Sequence, residues 1–373
     1  MSIIGTIGIE RFLRDYWQSK PLFIRNAAKQ FENVLSVDEL AGLSLESDVE
    51  SRLVHWNSAT DQWRVENGPF TEEKFGELPK ENWTLLVQSV DQWVPEVAEV
   101  LKQFHFLPRW RLDDVMISYA PPGGGVGPHF DNYDVFLLQV SGQRNWRLGQ
   151  RCDETSALRV DQPLRLLDHF EQSNQYQVRA GDMLYIPAGM AHWGTAGKEG
   201  SVTWSIGFRA PSAAELLVSA AERLAAELPE SLRYRDSERL QGGSLIGKSV
   251  DDGLDALFDG VSKSDLMFAV KQAFIAQVTE PRYLDAADLL TDEEVESILV
   301  DIKNGCALIE RSPHSRFAYR ITGSHFAELF VDGVSYSVSD HEAEMICDTE
   351  IETDKLSPEL IKLLLQSGAL IAI

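Results

Sequence analysis

The chain reads as mainly β: a jelly-roll core, then helices, then a small α+β module, and three observations carry that reading. From Trp110 to Phe208, short apolar and β-branched segments recur between Gly, Pro and Asp punctuation, as in a jelly roll of two packed sheets. Past Ala210-Pro211 the composition turns to Ala, Leu and Glu at helical spacing. Inside the β-rich run, Pro121-Pro122-Gly123-Gly124-Gly125-Val126-Gly127-Pro128-His129-Phe130-Asp131 delivers a His and an Asp onto the start of an apolar strand.

In chain order, residues 9–17 carry apolar side chains at helical spacing, and Lys20-Pro21 stops that helix before a strand at Leu22–Ile24. Ser36 with Glu39 reads as a capping box for a helix over Val37–Leu43. Residues 53–55 and 63–65 alternate as a hairpin with Asn67-Gly68 at a turn, 83–90 read as a strand, and 94–106 as a helix ending before Pro108. The jelly-roll strands are placed at 114–119, 135–140, 145–148, 164–167, 176–178, 183–186 and 202–208. Ser212 with Glu215 caps a helix reaching Leu228, and helices at 251–258 and 262–278 follow. Thr291 to Glu294 opens a helix to Lys303, strands fall at 317–321, 327–331 and 334–338, the last two joined by Asp332-Gly333, and 358–366 is helical. Three domains are expected: 1–210, the β-rich core with its N-terminal extension, then 211–285 and 286–373.

With 44% hydrophobic and 25% charged residues in 373, the composition is that of a soluble globular protein. No apolar run approaches a membrane span and Glu10, Arg11 and Arg14 interrupt the opening residues, so neither a membrane segment nor a signal peptide is expected and a cytoplasmic location is. Cys152, Cys306 and Cys347 are odd in number and far apart, which fits reduced thiols. A net charge of −24 repels nucleic acid, argues against direct binding to it, and suits a basic partner.

Side chains alternate along a strand, so His129 and Asp131 point one way while Phe130 points the other. A third ligand is expected from Gly181-Asp182-Met183-Leu184-Tyr185-Ile186-Pro187-Ala188-Gly189-Met190-Ala191-His192, read as turn, short strand, Pro/Gly turn and a histidine at the mouth of the next strand. Two His and one carboxylate on one face of a metal leave positions open, the arrangement of non-haem Fe(II) oxygenases.

Together these segments resemble the JmjC-type, cupin-fold 2-oxoglutarate oxygenases, and within them the bacterial ribosomal oxygenases that hydroxylate an arginine of a large-subunit ribosomal protein. Asp15-Tyr16-Trp17-Gln18-Ser19-Lys20-Pro21-Leu22-Phe23-Ile24, Met116-Ile117-Ser118 and Ser205-Ile206-Gly207-Phe208-Arg209-Ala210-Pro211 share in the resemblance. It implies a double-stranded β-helix core and Fe(II) held by His129, Asp131 and His192. It also implies consumption of 2-oxoglutarate and dioxygen, arginine hydroxylation at C3, homodimerisation through the helical region and a winged-helix-like C-terminal domain. The distal carboxylate of 2-oxoglutarate needs a cation on a rigid strand, for which Arg144 is the candidate, with Ser118 adding a hydroxyl. An arginine substrate needs a carboxylate and hydroxyl acceptors: Asp113 or Asp114 for the first, Tyr133 and Ser205 for the second, with the run Asn132-Tyr133-Asp134 also a candidate wall. Trp193 is read as packing beside the third ligand, and His55, His105, His169, His314, His325 and His341 as ordinary histidines. Two competing readings keep the chemistry but move it to another protein or an RNA, or make the chain a non-catalytic metal-binding cupin.

Overall fold

The computed structural model describes residues 3–31, 34–235, 248–281, 290–348 and 351–373. The chain divides into two compact units, Met1–Arg209 and Ala210–Ile373. The expected boundary at 285/286 lies outside the described residues.

The first unit is built on nine strands: β1 (Leu22–Ile24), β2 (Ser51–Asn57), β3 (Gln62–Asn67), β4 (Trp83–Val87), β5 (Leu112–Ala120), β6 (Asp134–Arg151), β7 (Asn174–Arg179), β8 (Met183–Ile186) and β9 (Met190–Phe208). They form one sheet in the order β1-β8-β6-β9-β5-β4-β2-β3, with β7 paired to β6, and every pairing is antiparallel. The organising pair is β6 with β9, 18 and 19 residues long. Strands of that length must bend to wrap a barrel, and the β6–β9 register shifts between Gln139 and Ser141 and between Gly142 and Arg144. Gly142, at φ +65°, makes the corner: a Cβ there would run into the Gly200 carbonyl. What the sequence offers as two strands, 135–140 and 145–148, is therefore one bent strand.

Four short helices complete this unit: α1 (Ile9–Asp15), α2 (Val37–Leu43), α3 (Glu72–Gly76) and α4 (Pro95–Ala98). The expected capping box of α2 is present, with Ser36 and Glu39 bonded reciprocally. Phe12 of α1 packs with Phe136 of β6 and Tyr185 of β8, and Trp17 stacks on Tyr185 at 5.7 Å. The segment 94–106 is not one helix: α4 gives way to a 3₁₀ stretch over Glu99–Phe104 that still buries Val97, Val100 and Phe104. The hairpin of β2 and β3 turns at residues 58–61, and Asn67-Gly68 instead ends β3. Residues 164–167 make no strand; Leu167 forms one isolated bridge with Leu158.

The second unit contains α5 (Ala213–Glu227), α6 (Lys248–Phe258), α7 (Lys263–Thr279), α8 (Asp292–Lys303), α9 (Asp340–Asp348) and α10 (Pro358–Gln366). Its strands are β10 (Ile309–Arg311), β11 (Phe317–Ile321), β12 (Phe326–Val331), β13 (Val334–Ser339) and β14 (Leu370–Ala372). Helices α5 and α7 meet through the small buried residues Ala220, Ala269 and Ala273. The antiparallel sheet β11-β12-β13 and the pair β10-β14 close over a core that includes Leu329, Ile346 and Leu364.

The glycine-rich turn shows why the segment leading to His129 and Asp131 needs its composition. A Cβ at Gly124 would strike the Trp83 carbonyl and one at Gly125 the Gly194 carbonyl, both backbone atoms that cannot swing aside. Gly125→Ala should therefore cost about 1–3 kcal/mol of stability, read from the urea midpoint of the metal-free protein.

Candidate metal centre

The first candidate ligand is set by backbone pairing. His129 and His192 form an isolated antiparallel bridge, with His129 N donating to His192 O at 3.0 Å and His192 N to His129 O at 2.8 Å. That exchange brings the imidazole centroids to 4.2 Å. The pairing continues at Asp131, whose carbonyl accepts from Gly189 N at 2.8 Å. His129 and Asp131 lie in an irregular extended segment before β6 rather than in a strand, yet their side chains still converge, with His192 near the start of β9.

One local device orients both rings. His129 Nδ1 lies 3.0 Å from Gly127 O, and His192 Nδ1 lies 2.9 Å from Met190 O. A carbonyl only accepts, so each Nδ1 carries the proton and each Nε2 keeps its lone pair. Those Nε2 atoms stand 3.9 Å and 3.5 Å from Asp131 Oδ2. Two bonds of about 2.1 Å to one ion can bridge up to about 4.2 Å, so the donors fit a single metal. Among the described residues this is the one His/Cys/Asp/Glu cluster with such convergence.

Burial, then the neighbouring His129 ring, pushes the His192 imidazole down to about 4 from its ordinary 6.5. It is neutral at physiological pH, the form a metal requires. A base whose proton affinity falls on folding leaves the folded state with fewer protons than the unfolded state between those two values. Its contribution to stability is full above pH 6.5 and is lost as pH falls towards 4. The difference amounts to about 3 kcal/mol. The urea midpoint of the metal-free protein should fall across that interval, and His192→Gln should flatten the fall.

Arg144 stands in the middle of β6, not at the opening of a separate strand, and is 5% exposed. Its Nε donates to Ser201 Oγ at 3.1 Å and its Nη1 to Ser118 Oγ at 3.3 Å, while Ser118 Oγ donates to Thr203 O at 3.4 Å. Nη2 is buried with no partner among the described residues, and burial pushes the guanidinium down to about 10. A buried cation with one free edge fits the carboxylate that a 2-oxoglutarate would bring. The sequence reading named Ser118 but missed Ser201, which lies 57 positions from Arg144 and is brought to it by strand pairing. Trp146 shares the inner face of β6: the Arg144 guanidinium carbon is 5.7 Å from its ring centroid, and the His192 ring is 5.8 Å away.

The proposed substrate residues divide. Asp113 and Tyr133 gather beside Gly207, where a Cβ would come within 3.5 Å of Asp113 Cβ and 4.0 Å of Tyr133 Cε2. Burial and the carboxylates of Asp131, Asp114 and Asp113 push the Tyr133 phenol up, so it stays protonated. Ser205 is half-buried, in register with Met116 and Leu137. Asp134 is a correction, whereas Asp114 stays beside Asp113 and Tyr133, its Oδ1 3.8 Å from a Cβ placed at Gly207. Asp114 Oδ2 accepts from Gln88 Nε2, Ser89 N and Ser89 Oγ at 2.6–3.0 Å, so it anchors the backbone after β4. Asp134 is fully buried, bonded to Tyr185 Oη at 2.6 Å and Arg111 Nη2 at 3.1 Å, and cannot line a substrate wall. Trp193 faces away from His192, with the Arg147 guanidinium 3.5 Å over its ring.

Comparison with known proteins gives a JmjC domain match over residues 99–216. The "Ribosomal protein uL16 3-hydroxylase" of Escherichia coli (strain K12) is 42% identical over 314 residues, covering 82% of this chain and 80% of that protein. The "Probable ribosomal oxygenase" of Haemophilus influenzae is 37% identical over 302 residues, covering 78% and 74%. Among solved structures, the E. coli ribosomal oxygenase YcfD superposes with a TM-score of 0.78 at 30% identity, covering 99% of both chains. YcfD in complex with cobalt and 2-oxoglutarate gives 0.76 at 29% identity, covering 98% of both.

Proposed function

The chain belongs to the JmjC-domain ribosomal oxygenases, and from that membership we infer that it is an Fe(II)- and 2-oxoglutarate-dependent hydroxylase of a large-subunit ribosomal protein. The observation that carries this reading is the convergence of His129, Asp131 and His192 near a buried guanidinium with one free edge. The named activity of the E. coli relative makes uL16 the first target to test, and hydroxylation at C3 of an arginine the expected product.

Bound iron supplies the oxidation: with dioxygen it converts a target C–H to C–OH while 2-oxoglutarate becomes succinate and carbon dioxide. The chain's own residues do the rest. His129 and His192 present Nε2 lone pairs and Asp131 a carboxylate on one face, leaving the opposite positions open. Arg144, steadied by Ser118 and Ser201, takes the distal carboxylate of 2-oxoglutarate. Tyr133, kept protonated, forms with Asp113 and Ser205 the wall that receives the target side chain.

Residues 211–285 serve as a dimerisation region and 286–373 as a winged-helix-like domain in this reading. Leu217 and Val218 of α5, Phe258 of α6 and Phe268 of α7 are exposed, which supports burial against a second copy. The net charge of −24 supports a basic protein partner over nucleic acid, and no described helix is long and apolar enough to cross a membrane. A cytoplasmic location follows from the target. The test is incubation with Fe(II), ascorbate, 2-oxoglutarate and a uL16 peptide. One oxygen added to arginine with matching succinate is expected; succinate without peptide oxidation would move the reading to another target.

A further inference from the structure

Alternation along β6 puts Arg144, Trp146 and Leu148 on one face, and their register partners on β9 are Ala196, Gly194 and His192. The indole of Trp146 thus lies between the guanidinium and a metal ligand, 5.7 Å and 5.8 Å from them. Gly194 makes room for it: a Cβ there would come 2.6–2.9 Å from Cζ3, Cη2 and Cε3. That contact presses the benzo edge onto the β9 backbone, so Nε1, on the opposite edge of the ring, is directed away from it. Trp146 is 4% exposed, and its Nε1 is buried with no acceptor among the described residues. A buried tryptophan N–H ordinarily finds a partner. Trp63 and Trp204 also bury an unpartnered indole nitrogen, but they pack on Trp56 and Phe31. Trp146 and Arg144 are two orphaned donors on one strand face, two residues apart, and a carboxylate offers about four acceptor sites.

We propose that Trp146 is a binding residue for the co-substrate, its indole N–H donating to the distal carboxylate that Arg144 also holds. The proposal rests on the reading of Arg144 as the 2-oxoglutarate anchor. A hydrogen bond to a charged acceptor, lost on Trp146→Phe, should weaken 2-oxoglutarate binding about 10-fold or more, while the KM for the target peptide stays unchanged.

The test uses the full chain loaded with redox-inert Zn(II). Titration calorimetry with 2-oxoglutarate compares wild type with Trp146→Phe. In wild type, the Trp146 indole N–H resonance, assigned by its absence from the variant, is followed in nitrogen-15 spectra and should move downfield as 2-oxoglutarate is added. Equal affinities for the two proteins, or a resonance that stays in place while wild type binds, would overturn the role of Trp146 and leave the site reading intact. No 2-oxoglutarate binding by zinc-loaded wild type would overturn both. Should the variant fail to fold, Trp146→Leu replaces it for both the assignment and the affinity comparison, with the same outcomes.

Discussion

Asp131→Ala should reduce 2-oxoglutarate-dependent hydroxylation by more than about 10³-fold, to the limit of detection by mass spectrometry, with the fold intact. Asp131 is the one anionic donor of the triad, and it lies in an irregular segment whose backbone bond to Gly189 the substitution leaves alone. Cobalt(II) titration separates the causes. Wild type should develop the absorption bands of a bound ion at stoichiometric metal, whereas the variant should need far more. Activity lost while cobalt binding stays tight would show that Asp131 is not a ligand, and the triad would have to be abandoned.

Arg144→Met should move two measurements in opposite directions. The thioether side chain fills much of the same space without charge, so the variant should raise the Kd for 2-oxoglutarate by on the order of 10²-fold, because a buried charged partner is lost. The metal-free protein should become more stable by about 1 kcal/mol, since an unpaired cation no longer has to be kept from water. Ser118 and Ser201 each lose a donor, which limits the gain. A variant both weaker in binding and less stable would mean that the guanidinium is chiefly a structural strut.

Where sequence and structure agree, the governing physics is local. The Gly-rich approach and the H-x-D pair were legible because close backbone packing tolerates only glycine at Gly124 and Gly125. The capping boxes at Ser36, Ser212 and Thr291 were legible because reciprocal bonds span three residues. Long-range pairing hid the rest. Gly142 looks like a turn in sequence and proves to be a corner inside one strand. Ser201 carries no signal that could tie it to Arg144, whereas Trp146 could have been found by counting two residues along the strand from Arg144. Asp134 reads as a pocket acid because sequence does not show that Tyr185 and Arg111 already occupy it. Helix α9 went unseen because Asp340–Asp348 is short and polar, though it buries Ala343, Met345, Ile346 and Cys347.

The paired register of β6 and β9 works as a ruler. Arg144 sits opposite Ala196 and Leu148 opposite His192, four residues or about 13 Å further along β6. Hydrogen-bonded strands, not loops, hold Arg144 and His192 at that interval, so the gap between them cannot stretch to suit a guest. On the proposed reading of Arg144 as the carboxylate anchor, a diacid with one more methylene, such as 2-oxoadipate, should bind more weakly than 2-oxoglutarate. On that reading, the scaffold itself would gauge the length of the oxidised acid.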